Sequence, residues 1–267
     1  MQVLKFRLSG RSAFFKKPEV NTYCYFTYGN IHKIALLGIF GSIIGCNGYS
    51  DMAKMLKSVP KKQKKQALEK SYPDFYEKLS DLKISIAPIA KTGVISKKIQ
   101  RFNNTVGYAS EEQGGNLIVK QQWLEEPAWH IYLLLDSPAA EAVKEKIISH
   151  QCEYYPYLGS NDHFADITDI SIEDAALLDE DYFKLNCLAP SNDFAAKEFD
   201  EEEQELMDEQ GIKVYMTFKY QESLPYQLNP YTNNYILKNF VYTDEFLVRT
   251  GKQNIYKLSG GENIVFY

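Results

Sequence analysis

The sequence predicts an α+β protein built on antiparallel sheets. Three observations carry that expectation. Residues 2–9 (Q-V-L-K-F-R-L-S) alternate as a strand does and offer Val3, Leu4, Phe6 and Leu8 to a core. Residues 32–46 (H-K-I-A-L-L-G-I-F-G-S-I-I-G-C) are apolar nearly all round, the pattern of a helix buried on every side. The remaining strand-like runs are joined by short connections, which favour antiparallel pairing.

Taken in order, the first strand breaks at Gly10 and Ser12. Residues 21–28 (N-T-Y-C-Y-F-T-Y) are aromatic and β-branched and predict a second strand, turned at Gly29 and Asn30. In the apolar helix, Gly38, Gly41 and Gly45 fall on roughly one face. Each glycine costs about 1 kcal/mol in a helix interior, so the three imply close approach to another backbone. Residues 51–79 read as two helical pieces split at Pro60, the second opening K-K-Q-K-K and solvated. Residues 81–88 are a strand. Residues 92–102 and 116–124 are extended limbs around a Gly-rich stretch, a long protruding hairpin whose first limb carries Lys97, Lys98 and Arg101 beside Lys91. A strand at 129–135 precedes a helix at 138–150 with Pro138 in its first turn. Residues 154–163 form an aromatic loop with Pro and Gly. Short strands follow at 165–172 and 181–188. Residues 198–209 hold eight acidic side chains in twelve and read as a solvated loop or short helix. Residues 212–221 alternate as a strand, and turns fall at Gly251 and at 259–261.

With 267 residues, 45% of them hydrophobic, the chain can bury roughly 70–75% of its extended surface and needs no disulfide or metal to fold. Cys24, Cys46, Cys152 and Cys187 are far apart, with no C-x-x-C pair, and read as reduced thiols in the cytoplasm. No apolar run reaches the ~18 residues of a membrane span, and the first residues read as a strand rather than an export signal. The net charge of −5 conceals an asymmetry. Residues 1–110 hold 19 Lys and Arg against 6 Asp and Glu, while residues 111–267 hold 11 against 29. The first part attracts polyanions and the second repels them.

Phosphate-loop, nucleophile-elbow and H-E-x-x-H signatures are absent. Of the four histidines, His130 reads as a core or edge residue and His150 as the end of a helix. His32 and His163 lie in loop-like, aromatic surroundings. His32 follows Tyr23, Tyr25 and Tyr28 and precedes Lys33. Three uses are open to it: entry to the helix together with RNA contact, pure helix capping, and catalysis. In the last, Tyr28 or His32 would deprotonate a ribose 2′-OH while Lys33 steadies the phosphorane, without metal. A second constellation, Arg7, Arg11, Lys16 and Lys17 with Phe14 and Phe15, interleaves cations and rings as a phosphate-tracking surface does.

L-K-F-R-L-S-G-R-S-A-F-F-K-K-P-E-V-N-T-Y-C-Y-F-T-Y followed by A-L-L-G-I-F-G-S-I-I-G resembles the start of the Cas five family of CRISPR-associated proteins, nearest in flavour to type I-B. The shared pattern is carried by Ala13, Phe15, Pro18, Thr27, Tyr28 and the three glycines. The later Y-L-G-S-N-D-H, ending at His163, also looks like a family loop. The resemblance is specific over residues 1–50 and loose over the rest. It implies a ferredoxin-like, RRM-type core (βαββαβ) over residues 1–172, with an arm hairpin about 91–124 and a variable, acidic, β-rich extension over 173–267. It also implies a place at the 5′ end of crRNA in the Cascade complex, gripping the 5′ handle and contacting the large subunit and the first backbone subunit. No cofactor or metal is expected. In the type I-C branch the family member is itself a metal-independent endoribonuclease; in type I-B that task usually belongs to a separate enzyme. The expected RNA-binding residues are Arg7, Arg11, Lys16, Lys17, Tyr23, Tyr28, His32, Lys33, Lys97, Lys98, Arg101 and His163. Tyr28, His32 and Lys33 are the catalytic set of the alternative, a pre-crRNA endoribonuclease. An unrelated RNA-processing or toxin-like α+β protein is a third reading.

Overall fold

The computed structural model describes residues 1–19, 23–58, 72–104, 117–212 and 214–267. The chain is a mixed α/β protein whose strand ladders are all antiparallel.

The first strand, β1 (Gln2–Ser9), lies inside a six-stranded sheet of order β15-β14-β7-β1-β6-β3. Its neighbours are β6 (Ala128–Leu134) and β7 (Asp166–Leu177), with β3 (Ile84–Pro88) outside β6, and β14 (Ile255–Leu258) and β15 (Asn263–Val265) beyond β7. Leu4, Phe6 and Leu8 are fully buried. Phe6 meets the ring of Phe40 edge-on at 6.3 Å, which seats helix α1 (Lys33–Ile44) on the sheet. Helices α2 (Tyr49–Ser58) and α3 (Asp74–Leu79) follow α1 in the chain. Helix α4 (Pro138–Ile148) packs beside α1, started by a Ser137 hydroxyl that accepts from Ala140 N–H at 3.2 Å and by Pro138 in its first turn.

The other face of the sheet is covered on its β3 side, where Ser85, Ala87 and Tyr132 are buried, while most of β7 is exposed. Lys5 pairs with Glu173 at 2.9 Å and Glu262 at 2.5 Å. Val265 N–H donates to the buried Cys187 sulfur at 3.4 Å. The final residue, Tyr267, exchanges both backbone hydrogen bonds with Ile84 of the edge strand β3, at 3.0 and 3.3 Å. The sheet thereby curls towards closure.

Two further β units complete the chain. Strand β2 (Ser12–Ala13) pairs with β5 (Leu117–Glu125), which pairs with β4 (Lys97–Asn104). These are the base and limbs of the expected hairpin; its tip, 105–116, lies outside the described residues. Towards the C-terminus, β11 (Lys219–Leu228) and β12 (Tyr235–Thr243) form a second hairpin, joined at one edge by β9 (Ala189–Pro190). Strands β8 (Tyr182–Phe183), β10 (Phe194–Ala196) and β13 (Leu247–Arg249) form a small sheet. Buried residues from residue 3 to residue 267 belong to one core. No helix among the described residues is long and apolar enough to cross a membrane.

Several sequence expectations change. Residues 23–28 make single bridges, Lys16 to Thr27 and Tyr25 to Gln121, rather than a strand; Thr27 takes Phe15 N–H on its hydroxyl at 3.0 Å and so interrupts a ladder. The strand expected at 212–221 starts only at Lys219, because Thr217 and Phe218 give their N–H groups to the Asp244 carboxylate at 2.9 and 3.2 Å. The strand at 181–188 shrinks to Tyr182–Phe183; Asn186 and Leu188 instead bond Asn263 and Ile86. The three helix glycines do not share one purpose. Gly41 lies against the Phe75 side chain, where an added β-carbon would come within 2.6 Å, and Gly45 is the left-handed C-cap at φ 82°. Gly38 has no neighbour within 4 Å of that point. The acidic 198–209 segment contains a helix, α5 (Glu201–Glu209), begun by a reciprocal capping box between Asp200 and Glu203. The basic helical piece expected after Pro60 lies outside the described residues.

Asn30 ties the crossover to the sheet. It is fully buried, accepts from Trp129 Nε1–H at 2.9 Å and donates to the Gly93 carbonyl at 3.0 Å. Asn30→Leu strands both partners in the core, so unfolding in urea should show a loss of about 2–4 kcal/mol. A midpoint within error of the parent would mean that this bridge does not hold the crossover.

Candidate nucleic-acid interface

His32 starts α1. Its Nδ1 accepts from Ala35 N–H at 3.2 Å, which places the imidazole proton on Nε2. The rings of Phe15, Tyr28 and Tyr235 surround it at 5.3 to 5.8 Å, and burial pushes its pKa down to about 3. Tyr28 is buried beside it; its hydroxyl has no partner among the described residues, and burial raises its pKa. Lys33 points elsewhere. Its amine lies 5.3 Å from the Tyr226 ring centre and is pushed down to about 8 by burial, Lys238 adding to the effect and Asp81 opposing it. Tyr28 and His32 therefore touch, while Lys33 is directed towards the C-terminal hairpin.

The cations after β1 gather at the base of the arm. Lys16 lies 4.3 Å from the Tyr25 ring centre, and Tyr25 extends the hairpin sheet by bonding Lys120 and Gln122 through its backbone. Lys17 lies 5.0 Å from the Tyr28 ring centre and 3.3 Å from Glu222. Glu222 also accepts Gly29 N–H on both oxygens, at 3.0 and 2.9 Å, and the Tyr220 hydroxyl at 2.6 Å. The Lys97 amine is pushed down by partial burial, with Lys17 adding and Glu222 opposing.

The hairpin has two faces. Lys97, Arg101 and Lys120 lie on one, with exposed Ile99 and Ile118. Lys98, Phe102 and Trp123 lie on the other, where Lys98 pairs with Glu125 at 3.3 Å. His163 belongs to this second face. It is buried, its Nδ1 is 2.7 Å from the Ser12 hydroxyl, its ring meets Trp123 edge-on at 4.6 Å, and its Nε2 has no partner among the described residues. Burial lowers its pKa, Lys98 adding and Asp162 opposing.

The other expected site residues stand apart. Arg7 is exposed on β1 between His130 and Thr168. Arg11 is exposed at the turn that follows, and Tyr23 is 96% exposed at φ 63°. Sequence reasoning missed Glu222, a lone carboxylate in an alternating strand with no signal to mark it. It also missed a cleft of about 680 Å³ over α1, lined by His32, Gly38, Ser42, Tyr49, Tyr154 and Tyr235 among others. The aromatic run at 154–157 was its visible sign. No group of three or more His, Cys, Asp or Glu among the described residues could hold a metal ion.

No family model matches the chain, and no curated protein matches it. Solved structures similar to it include one described as "Crystal structure of a CRISPR protein from Archaeoglobus fulgidus", with 11% identity, 99% of this chain and 98% of that chain covered, and a TM-score of 0.49. Another is described as "CRISPR RNA-guided surveillance complex", with 11% identity, 93% and 91% coverage and a TM-score of 0.47. A third, "Crystal Structure of CRISPR-associated Protein", has 11% identity, 93% and 92% coverage and a TM-score of 0.39.

The buried His32 sets a pH response. Unfolded imidazole titrates near 6.5 and the folded one near 3, so between these values the unfolded chain holds the extra proton. Stability therefore falls as pH drops below 6.5, by up to about 1.4 kcal/mol per unit from this group. His32→Asn keeps a capping acceptor and removes the titration. Its urea midpoint should decline less steeply from pH 7 to 4.5 than that of the parent; equal slopes would contradict the assignment.

Proposed function

We propose that this chain is a non-catalytic RNA-binding subunit of a type I CRISPR surveillance complex, of the Cas five kind and nearest type I-B. In this reading it caps the 5′ handle of crRNA and anchors the large subunit and the first backbone subunit. Its core is ferredoxin-like. Support for that core is the chain order β1-α1-β3-β6-α4-β7 with the sheet order β7-β1-β6-β3, that is, fourth, first, third, second. Residues 173–267 are the acidic extension, whose carboxylates suit protein partners or solvent better than phosphate.

The observation that carries the RNA reading is the base of the arm. Lys16, Lys17, Lys97 and Lys120 gather there with Tyr25 and Tyr28, beside the residues that carry the family resemblance. Cations for phosphates and ring faces for bases are what single-stranded RNA requires. Binding is favoured over cleavage by the surroundings of the alternative set. His32 spends Nδ1 on the helix cap and is a weak base at neutral pH, the Tyr28 hydroxyl is buried, and the Lys33 amine lies against Tyr226.

Single-stranded RNA derived from a CRISPR repeat should bind with a log–log salt slope of about −3, the value for four or five neutralised phosphates. Replacing Lys97, Lys98 and Arg101 by Ala removes side chains outside the core. Thermal unfolding should move by no more than about 0.5 kcal/mol per site, while RNA affinity falls about tenfold. A slope near zero, or unchanged affinity in the triple variant, would refute the electrostatic reading. Cleavage of the same RNA in EDTA, abolished by His32→Ala, would establish the nuclease instead.

A further inference from the structure

We infer that the cleft over α1 is a pocket for one unstacked nucleobase of a bound single-stranded RNA, an inference that rests on the RNA-binding reading. Gly38, the glycine with no local demand on it, forms part of the floor. Its φ is not positive and nothing lies within 4 Å of where a β-carbon would stand, so the helix itself has no need of glycine. Ser42, one turn further on, also lines the cleft, its hydroxyl turned to the Ile39 carbonyl at 2.8 Å.

The walls are rings that are held but not buried. Tyr154 is anchored by its N–H to Ser42 O at 3.1 Å while its side chain is 57% exposed. Tyr49 meets Phe75 edge-on at 5.9 Å and is 44% exposed. At the end of the cleft stands His32, 3% exposed, whose Nδ1 is spent on the cap. With Nδ1 accepting from Ala35 N–H, its proton sits on Nε2, the ring nitrogen left to donate to a base in the cleft. The cleft's carboxylate, Asp51, is paired with Lys54 at 2.8 Å, and Lys16 stands at the rim.

An uncharged flat ring with hydrogen-bond acceptors on its edge fits this chemistry. A bare anion fits less well, since the lining is mostly rings, small residues and neutral polar groups such as Asn47 and Ser50, with Lys16 as its cation and Asp51 as its carboxylate. The basic residues outside the rim supply what the attached sugar–phosphate would need. Tyrosine faces stack on any base, and each of the four bases presents an acceptor that a donor at His32 could meet.

Gly38→Leu places a side chain in the cleft from its floor, with its β-carbon clear of every neighbour by 4 Å, and improves helix propensity. Binding is measured by fluorescence anisotropy with labelled RNAs of about 12 nucleotides, of mixed sequence and in a fully abasic version. The expected result is that Gly38→Leu melts no lower than the parent, binds mixed-sequence RNA about tenfold more weakly, and binds abasic RNA as the parent does. Tyr154→Ala should show the same split and serves as the readout if Gly38→Leu fails to fold. Undiminished binding of mixed-sequence RNA by either folded variant overturns the pocket and leaves RNA binding standing. So does an equal loss on abasic RNA. A parent protein that binds neither RNA overturns the RNA reading itself, and the pocket with it.

Discussion

A twelve-residue helix that is apolar on all sides must be covered on all sides, and most of this architecture follows from covering α1. One face rests on the sheet through Phe6 and Phe40. Another receives α3, with Phe75 pressed against Gly41. The flanks meet α4 and β11, and Tyr235 of β12 closes over the capping histidine. The C-terminal part is thus recruited to a helix encoded near the start of the chain, and the two share one core. Tyr76 of α3 reinforces this by accepting Leu228 N–H from β11 at 3.1 Å. Covering is incomplete along the line of Gly38 and Ser42, and that gap is the cleft.

The same folding-over settles how the charge asymmetry is used. Some of the N-terminal cations are consumed internally: Lys5 by Glu173 and Glu262, Lys17 by Glu222, Lys98 by Glu125. Glu222 matters most, because it joins β11 to the turn before α1 while sitting among Lys17 and Lys97. It moderates like-charge repulsion at the base of the arm, so cations can be concentrated there at tolerable cost. The acidic helix α5 keeps its carboxylates on the surface, its capping box using two of them to start the helix.

Much of this was legible in the residues, and the misses have definite causes. The strand at 2–9, the all-round burial of α1, the start of α4 at Pro138, and the hairpin limbs follow from patterns whose partners are generic: a core, a first turn, a hairpin turn. The aromatic run at 21–28 misled because β propensity reports fit to a half-buried surface and not possession of a ladder; Thr27 spends its hydroxyl on Phe15 N–H. The late start of β11 depends on Asp244, more than twenty residues away. The closure of Tyr267 on Ile84 is a backbone pairing between distant segments and leaves no side-chain pattern to read. Among the site residues, Lys16, Lys17 and Lys97, read from two separate stretches, lie together at the base of the arm. His163 turns out to be a buried partner of Ser12 and Trp123, and Lys33 is turned away from His32. The cleft needed α1, α2 and the 154–159 loop together, which no local pattern specifies.

In the RNA-binding reading proposed above, single-stranded RNA lies along the basic, aromatic side formed by the arm base and the cleft. Photo-crosslinking with 4-thiouridine-substituted single-stranded RNA, mapped by peptide mass spectrometry, tests this directly. Adducts are expected on Tyr25 and on Tyr154 or Tyr157, with none in 201–209. Adducts concentrated in the acidic helix or on the β11–β12 hairpin, with the arm base unlabelled, would contradict it.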